Sequence, residues 1–204
     1  MNINKEAESE IIKQKLKKTQ KDWIDYFNSK GEKMISAPDI YRVAKEENKN
    51  MIDSLKKDFK EKWIVTSTRI IYNKDNLEGE IIHDVDSKLV IPKKYKIIIP
   101  IIQDEAKQDK ETEAYLRALF DTKDTIDLIL KVLKRFDKDR KIYLWTPSQS
   151  SRADKQVRSV GLGFCDFVRF GVVGDGWVGD SLGLSRGVII YSAKQTKKSR
   201  GNQK

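Results

Sequence analysis

The order of apolar and polar residues predicts that the chain begins with helices. Within residues 4–28, Leu16, Trp23 and Phe27 recur at helical spacing on one face, and lysines cover much of the remaining surface. Gly31 is a suitable residue for the end of this helix. We expect its apolar face to pack against a core or a second copy of the chain, with a basic helix along a phosphate backbone as the alternative.

Two shorter helices and a hairpin are predicted next. Ser36 precedes a proline and an acid, which suit the cap and first turn of a second helix. A third helix is predicted from about Asn50 to Lys62, because its apolar residues recur at i, i+3 and i+4. The β-rich segments 63–72 and 80–85 then predict two strands joined by a turn.

The middle of the chain contains a long apolar segment followed by a charged one. Residues 89–102 are almost continuously apolar around KYKIIIPII, which is typical of a central strand covered on both faces. Residues 103–113 are charged and have no apolar period. We therefore expect them to form an exposed connection.

The next residues predict one βαβ unit. AYLRALF at 114–120 is interpreted as a strand, although its pattern also fits a helix. An apolar helix capped by Asp121 or Thr122 follows, and a second strand, KIYLWTP, ends at Pro147. Strand, helix and strand at this spacing indicate a right-handed crossover between two parallel strands.

Glycine dominates the C-terminal part of the chain. Eight of the 11 glycines lie between Gly161 and Gly187, with β-branched and aromatic residues beside them. This composition predicts two or three strands joined by tight turns, or a backbone that another group approaches closely. Asp175-Gly176 is typical of a hairpin turn. The stretch contains no Walker or dinucleotide-binding motif and no calcium-loop spacing, so no metal site is assigned.

Together these patterns predict an α+β fold, with a helical N-terminal third packed on a mixed β-sheet that contains one βαβ unit. The expected regions are a helical part at 1–62, a mixed α/β part at 63–192 and a basic disordered tail at 193–204. No proline- or glycine-rich linker separates the first two regions, so we expect one compact unit.

Charge points to an anionic partner. The chain has 41 Lys and Arg against 31 Asp and Glu, a formal net charge of +10. Residues 194–204 contain five basic residues and no acid, which suits phosphate contacts as well as a solubilising end. With one cysteine and one histidine, an internal disulfide and a Cys/His zinc site are excluded. The lack of a signal-like or membrane-length apolar run predicts a cytoplasmic protein without a membrane partner.

Three helices followed by a hairpin match the element order of a winged helix, in which the third helix enters the major groove of DNA. The polar residues of this helix that could meet DNA are Asn48, Lys49, Asn50, Ser54, Lys56 and Lys57.

A second candidate surface follows from the predicted βαβ unit, because ligands of open α/β sheets bind at the carboxyl ends of the strands. A helix start, serine hydroxyls and guanidinium groups would meet there and could hold phosphate. The predicted anion- or nucleic-acid-binding residues are Thr122, Lys123, Ser150, Ser151, Arg152, Arg158, Ser185 and Arg186.

The function predicted first is nucleic-acid binding without catalysis. The alternatives are an enzyme or binding protein for a small phosphorylated ligand, and a structural or assembly subunit that forms a homo-oligomer by strand pairing. A further hypothesis places a nuclease-like metal site in HDVDSK, where Asp84, Asp86 and Lys88 would share one strand face. The residue pattern predicts no particular reaction or cofactor.

Overall fold

The structure of the protein, a computed structural model, describes residues 2–3, 18–73, 77–147, 156–166, 168–177 and 185–189. The helices within them are α1 (Gln20–Ser29), α2 (Ala37–Lys45), α3 (Lys49–Glu61), α4 (Lys110–Leu119) and α5 (Ile126–Leu133). The strands are β1 (Asn2–Ile3), β2 (Lys33–Met34), β3 (Ile64–Tyr72), β4 (Glu78–His83), β5 (Lys93–Ile98), β6 (Gln103–Glu105), β7 (Lys141–Trp145), β8 (Gln156–Phe164), β9 (Arg169–Trp177) and β10 (Gly187–Ile189). No described helix is long and apolar enough to cross a membrane.

Seven strands form one mixed sheet in the order β5-β4-β3-β8-β9-β7-β6. Neighbouring strands are antiparallel except β7 and β9, which run parallel. A separate small sheet places β10 between β1 and β2, with antiparallel pairing on both sides. The fold class predicted from the sequence, α+β with N-terminal helices on a mixed sheet, is therefore confirmed.

Alternation along the strands divides the seven-stranded sheet into two faces. Helices α2 to α5 cover one face, where Leu55, Tyr115 and Leu162 belong to the main buried cluster. Helix α1 covers part of the opposite face, which we call the outer face, and packs near Val65 and Ile82 of β3 and β4. On the outer face of β7, Tyr143 and Trp145 are half-buried.

The first helices and the hairpin agree with prediction where the structure describes them. Residues 4–17 of the predicted first helix lie outside the described part, and α1 ends just before Gly31, whose φ of 70° suits glycine. The backbone N–H and the hydroxyl of Ser36 both donate to the Asp39 carboxylate at the start of α2. Helix α3 and the strands β3 and β4 occupy the predicted positions.

The predicted βαβ unit is wrong. Residues 114–119 belong to α4, and residue 120 directly follows it. The helix is favoured because it puts Tyr115, Leu116 and Leu119 on one buried face. The Asp109 carboxylate caps this helix by accepting the backbone N–H of Thr112 at 2.7 Å. Strands β6 and β7, which flank α4 and α5, run antiparallel.

The predicted start of the following helix is also wrong. Helix α5 begins at Ile126 with Thr125 as its N-cap residue, not with Asp121 or Thr122. Asp121 follows the C-cap of α4 and has a φ of 48°, and the N–H of Thr122 donates to the carbonyl of Arg117. These two residues thus form the turn between the helices and not a helix start.

Three further local predictions are corrected. Residues 103–113 contain β6 and the beginning of α4, so they are not a simple loop. The apolar segment at 89–102 supplies β5, an edge strand with exposed lysines, and not a central strand. Asp175-Gly176 lies inside β9, where the close approach of the Ser159 side chain to Gly176 favours a residue without Cβ.

Candidate nucleic-acid interface

An open groove of about 630 Å³ lies between α3, α5 and the turn that leads into β7. Six basic and two acidic side chains line it, together with one aromatic ring. The lining residues are Lys56, Lys60, Lys131, Lys134, Arg135, Asp137, Lys138, Asp139 and Phe164. We call this surface the basic groove.

Helix amphipathicity explains why lysines meet here. Helix α3 buries Leu55 and Phe59 against the sheet. The polar residues on its other side, which are spaced one helical turn apart, therefore face outward. Helix α5 buries Ile129 and Val132 in the same core and likewise presents lysines to solvent. The two polar helix faces border one groove because both helices pack on the same face of the sheet.

One of the two acids of the groove, Asp137, is paired within the protein. The Asp137 carboxylate accepts a hydrogen bond from Arg140 Nε at 2.9 Å and another from the N–H of Asp139 at 3.1 Å. Partial burial acts to raise the pKa of Asp137, but these hydrogen bonds outweigh it and hold the pKa below its usual value. Asp137 therefore stays ionised and is paired with Arg140.

Arg135 is committed to the protein as well. Its guanidinium donates to the carbonyls of Ala44 and Lys45, which end α2, and forms an ion pair with Glu47 at 2.6 Å. In the part of the chain that the structure describes, the five lysine amines of the groove form no salt bridge with an acid. The lysines thus carry the groove's available positive charge.

The floor of the groove is closed by aromatic packing. The guanidinium carbon of Arg140 lies 4.1 Å from the centroid of the Phe164 ring. Phe59 and Phe170 contact the same ring edge-on, with centroids 5.8 and 5.7 Å away. Phe164 is therefore occupied on several sides, and the groove offers charge for phosphates without a free ring for stacking.

Of the predicted site residues, Thr122 and Lys123 lie in the turn between α4 and α5. The Thr122 hydroxyl accepts the N–H of Asp124, and Lys123 is exposed. The carboxylate of Asp124, which lies in the same turn, accepts hydrogen bonds from Tyr41 and Lys45 of α2. Ser150, Ser151 and Arg152 lie outside the described residues.

The other predicted site residues, Arg158, Ser185 and Arg186, are each about 3 % exposed. The Arg186 guanidinium pairs with Asp58 at 2.5 Å and also donates to the Ser54 hydroxyl at 3.0 Å. Ser185 donates to the carbonyl of Val65 at 2.9 Å. The burial of these three residues weighs against their contact with a phosphate at the surface.

The winged-helix interpretation is not supported by the hairpin. In that architecture the hairpin projects to contact DNA backbone. Here β3 is bonded to β4 on one side and β8 on the other, and β4 is bonded to β5, so both strands are inside the large sheet. On α3, Ser54 is bonded to Arg186, whereas Lys56 borders the basic groove.

HDVDSK does not form a metal site on one strand face. Strand β4 ends at His83, and the two following acids turn away with positive φ. Asp84 pairs with the buried amine of Lys33 at 2.6 Å, and Asp86 faces Arg69. No group of three metal-ligating side chains occurs among the described residues.

His83 itself has a structural position. One ring nitrogen, Nδ1, lies 3.1 Å from the Thr68 hydroxyl, and Nε2 lies 2.9 Å from the carbonyl of Ala118. A neutral ring satisfies both contacts by accepting at Nδ1 and donating at Nε2. Burial lowers the pKa of His83, which favours this neutral form.

Sequence reasoning named Lys56 as a possible contact but missed Lys60, Lys131, Lys134 and Lys138. A usable signal was present, since the two lysines of LILKVLK are spaced i and i+3 and therefore lie on one side of the predicted helix. What the sequence could not indicate was that α5 packs beside α3. Comparison of the chain with models of protein families, with curated proteins and with solved structures gives no match.

Proposed function

We propose that this protein binds nucleic acid without catalysing a reaction, and that it contacts the phosphate backbone through the basic groove. The observation that carries this proposal is the convergence of five lysines from α3, α5 and the following turn, whose neighbouring acid Asp137 is already paired. Lysine ammonium groups at a surface neutralise phosphates and release the counterions that surround a nucleic acid.

The character of the groove favours a polyanion over a small phosphorylated ligand. Four of its lysines, Lys60, Lys131, Lys134 and Lys138, are exposed, and Arg135 is occupied by carbonyl and carboxylate groups. A small-ligand site normally adds a few fixed polar groups inside an apolar pocket. Exposed charges along an open surface match a chain of phosphates better.

The test compares two variants that lose the same charge. The groove variant carries Lys60→Gln, Lys131→Gln and Lys134→Gln. The control variant carries Lys94→Gln, Lys96→Gln and Lys107→Gln, whose lysines are exposed on β5 and in the segment before α4. Fluorescence anisotropy with labelled oligonucleotides across a salt series gives the affinity and its salt dependence.

We expect the groove variant to bind more weakly and its log–log salt slope to fall in magnitude by about 2–3, because three phosphate contacts are lost. The control variant should keep the slope of the wild type. The proposal is wrong if the wild type binds no oligonucleotide at low salt, or if both variants lose affinity equally. Saturable thermal stabilisation by a mononucleotide alone would support the small-ligand alternative.

A further inference from the structure

Two aromatic side chains lie on the outer face of the sheet on β7, the strand next to the β6 edge. Tyr143 and Trp145 alternate along β7 with Ile142 and Leu144, which point into the core. The two half-buried rings lie 5.6 Å apart between centroids with an interplanar angle of 27°. The guanidinium carbon of Arg169 on β9 lies 5.2 Å from the Tyr143 ring and 5.6 Å from the Trp145 ring.

A third aromatic residue shares this face. Trp63 lies against the glycines of β8 and β9, since a Cβ added to Gly163 would approach its ring within 3.2 Å and one added to Gly171 within 2.5 Å. Gly171 is the register partner of both Gly163 and Tyr143. Paired residues point to the same face of a sheet, so Trp63 and Tyr143 lie on one surface. Gly163 and Gly171 contribute no side chains to this surface.

The surface of Trp63, Tyr143 and Trp145, which we call the aromatic face, lies on the outer face of the sheet, whereas the basic groove lies on its helix-covered side. Both surfaces reach the same end of the sheet. Lys60 of the groove precedes Trp63 by three residues, and Lys138 of the groove precedes Lys141, the first residue of β7, by three. Phe164, which lines the groove, is the last residue of β8 and pairs with the start of β9. This shared end of the sheet is the one where β3 and β7 begin.

Charges on the aromatic face do not oppose an anionic chain. Asp166 is paired with Arg169 at 2.5 Å, and hydrogen bonds from Arg169 hold the pKa of Asp166 below its usual value. Glu105 is paired with Lys141 at 2.8 Å. Each of these two acids is matched by a cation.

From this arrangement we propose that the ligand is single-stranded nucleic acid, with its phosphates along the basic groove and its bases stacked on the surface of Tyr143 and Trp145. This inference rests on the proposed function and adds the class of nucleic acid. Stacking requires unpaired bases, because a duplex keeps the faces of its bases inside the helix. A positively charged groove beside stacking rings is the arrangement that binds single strands with little sequence preference.

The binding test uses the full chain with a labelled single strand, its DNA duplex, and the matching RNA strand. The variants are Tyr143→Leu with Trp145→Leu, and Tyr95→Leu on β5 as a control at the other edge of the sheet. We expect the double variant to lose at least about tenfold in affinity for the single strand and to bind the duplex as the wild type does. The control should bind both as the wild type does.

Tryptophan fluorescence provides a second test that does not depend on a disruptive variant. Bases stacked on Trp145 should quench the emission of the wild type, and the conservative variant Trp145→Phe should lose most of that quenching while it keeps its affinity. Equal affinity of the double variant and the wild type for the single strand would overturn the inference, as would undiminished quenching in Trp145→Phe. Both results would leave phosphate binding by the groove intact, whereas the absence of any binding would refute the proposed function itself.

Discussion

Trp63 lies directly over Gly171, and the contact leaves no room for a side chain at position 171. A Cβ built on Gly171 would lie 2.5 Å from the ring atom Cη2 of Trp63 and 2.5 Å from the sulfur of Cys165. Gly163 meets the same ring on the neighbouring strand. The glycine-rich strands thus accommodate a tryptophan that comes from the end of α3, far away in the sequence.

Gly171→Ala should therefore destabilise the protein. The added methyl group must displace an indole ring within a packed surface, which costs about 1–3 kcal/mol of unfolding free energy. Gly161→Ala is a matched control on the neighbouring strand, because its Cβ would meet nothing closer than 3.6 Å. Denaturant unfolding should show a lower midpoint for the first variant and a nearly unchanged one for the second. Equal midpoints would contradict the role assigned to Trp63.

Removing one partner of the ion pair between Arg186 and Asp58 is expected to destabilise the protein strongly. Both side chains are nearly fully buried, so Arg186→Met would leave the Asp58 carboxylate buried without its cation. Removing one partner of such a pair costs about 3–5 kcal/mol. Asp58→Asn combined with Arg186→Met should cost less than the sum of the two single changes, as a double-mutant cycle by denaturant unfolding would measure.

A surface pair provides the comparison for this prediction. Lys21 and Asp25 also lie 2.5 Å apart, but their side chains are 74 % and 57 % exposed. Water and salt screen such a pair, so Lys21→Met should leave the unfolding midpoint unchanged. A small effect of Arg186→Met, similar to that of Lys21→Met, would show that Asp58 finds water or another partner when Arg186 is lost.

His83 is expected to make stability depend on pH. Burial lowers its pKa in the folded protein and dominates the opposing influence of Asp84 and Asp121. The unfolded chain then binds the proton more tightly, with a histidine pKa of about 6.5. His83 should therefore cost no stability above this pH, and stability should fall by up to about 1.4 kcal/mol per pH unit as the pH decreases toward the folded pKa.

His83→Gln removes this titration and keeps groups that can hydrogen-bond. Because His83 is the only histidine of the chain, the difference between the two proteins in slope between pH 7 and 5.5 isolates its contribution. The wild type should lose stability more steeply than the variant over this window. Parallel pH profiles would show that the ring is protonated in the folded state as easily as in the unfolded chain.

Local signals predicted much of the N-terminal half. The signals there act within a few residues: Ser36 as a helix cap, the apolar spacing of α3, and the β-branched residues of β3 and β4. The structure confirms the helices and strands that these signals predicted. The segment 114–120 could not be decided in the same way, because seven residues fit both a strand and a helix. The Asp109 cap and burial against the sheet settle it as a helix.

The site was harder to predict because its parts meet only through tertiary packing. Arg186 was expected at the surface, as most arginines are, but its partner Asp58 lies 128 positions earlier. The lysines of α5 join those of α3 only because both helices cover one face of the sheet. Close approach to the glycine backbone was foreseen as one interpretation, whereas the approaching residue, Trp63, was not.

Two C-terminal truncations test how far the end of the chain belongs to the fold. Strand β10 pairs with β1 and β2, and the adjacent Arg186 binds Asp58. Deletion of residues 185–204 removes these interactions, so it should lower the melting temperature strongly. Deletion of 194–204 alone removes five basic residues without an apolar anchor and should leave the melting temperature unchanged.

The shorter truncation also separates the tail from the basic groove in binding. If the tail contacts phosphates, its loss should make the salt slope for nucleic acid shallower, and the groove variant should lower the slope further in the truncated protein. Additive losses would indicate two independent contact surfaces. A truncated protein whose slope no longer responds to Lys60, Lys131 and Lys134 would place the binding in the tail and contradict the assignment to the groove.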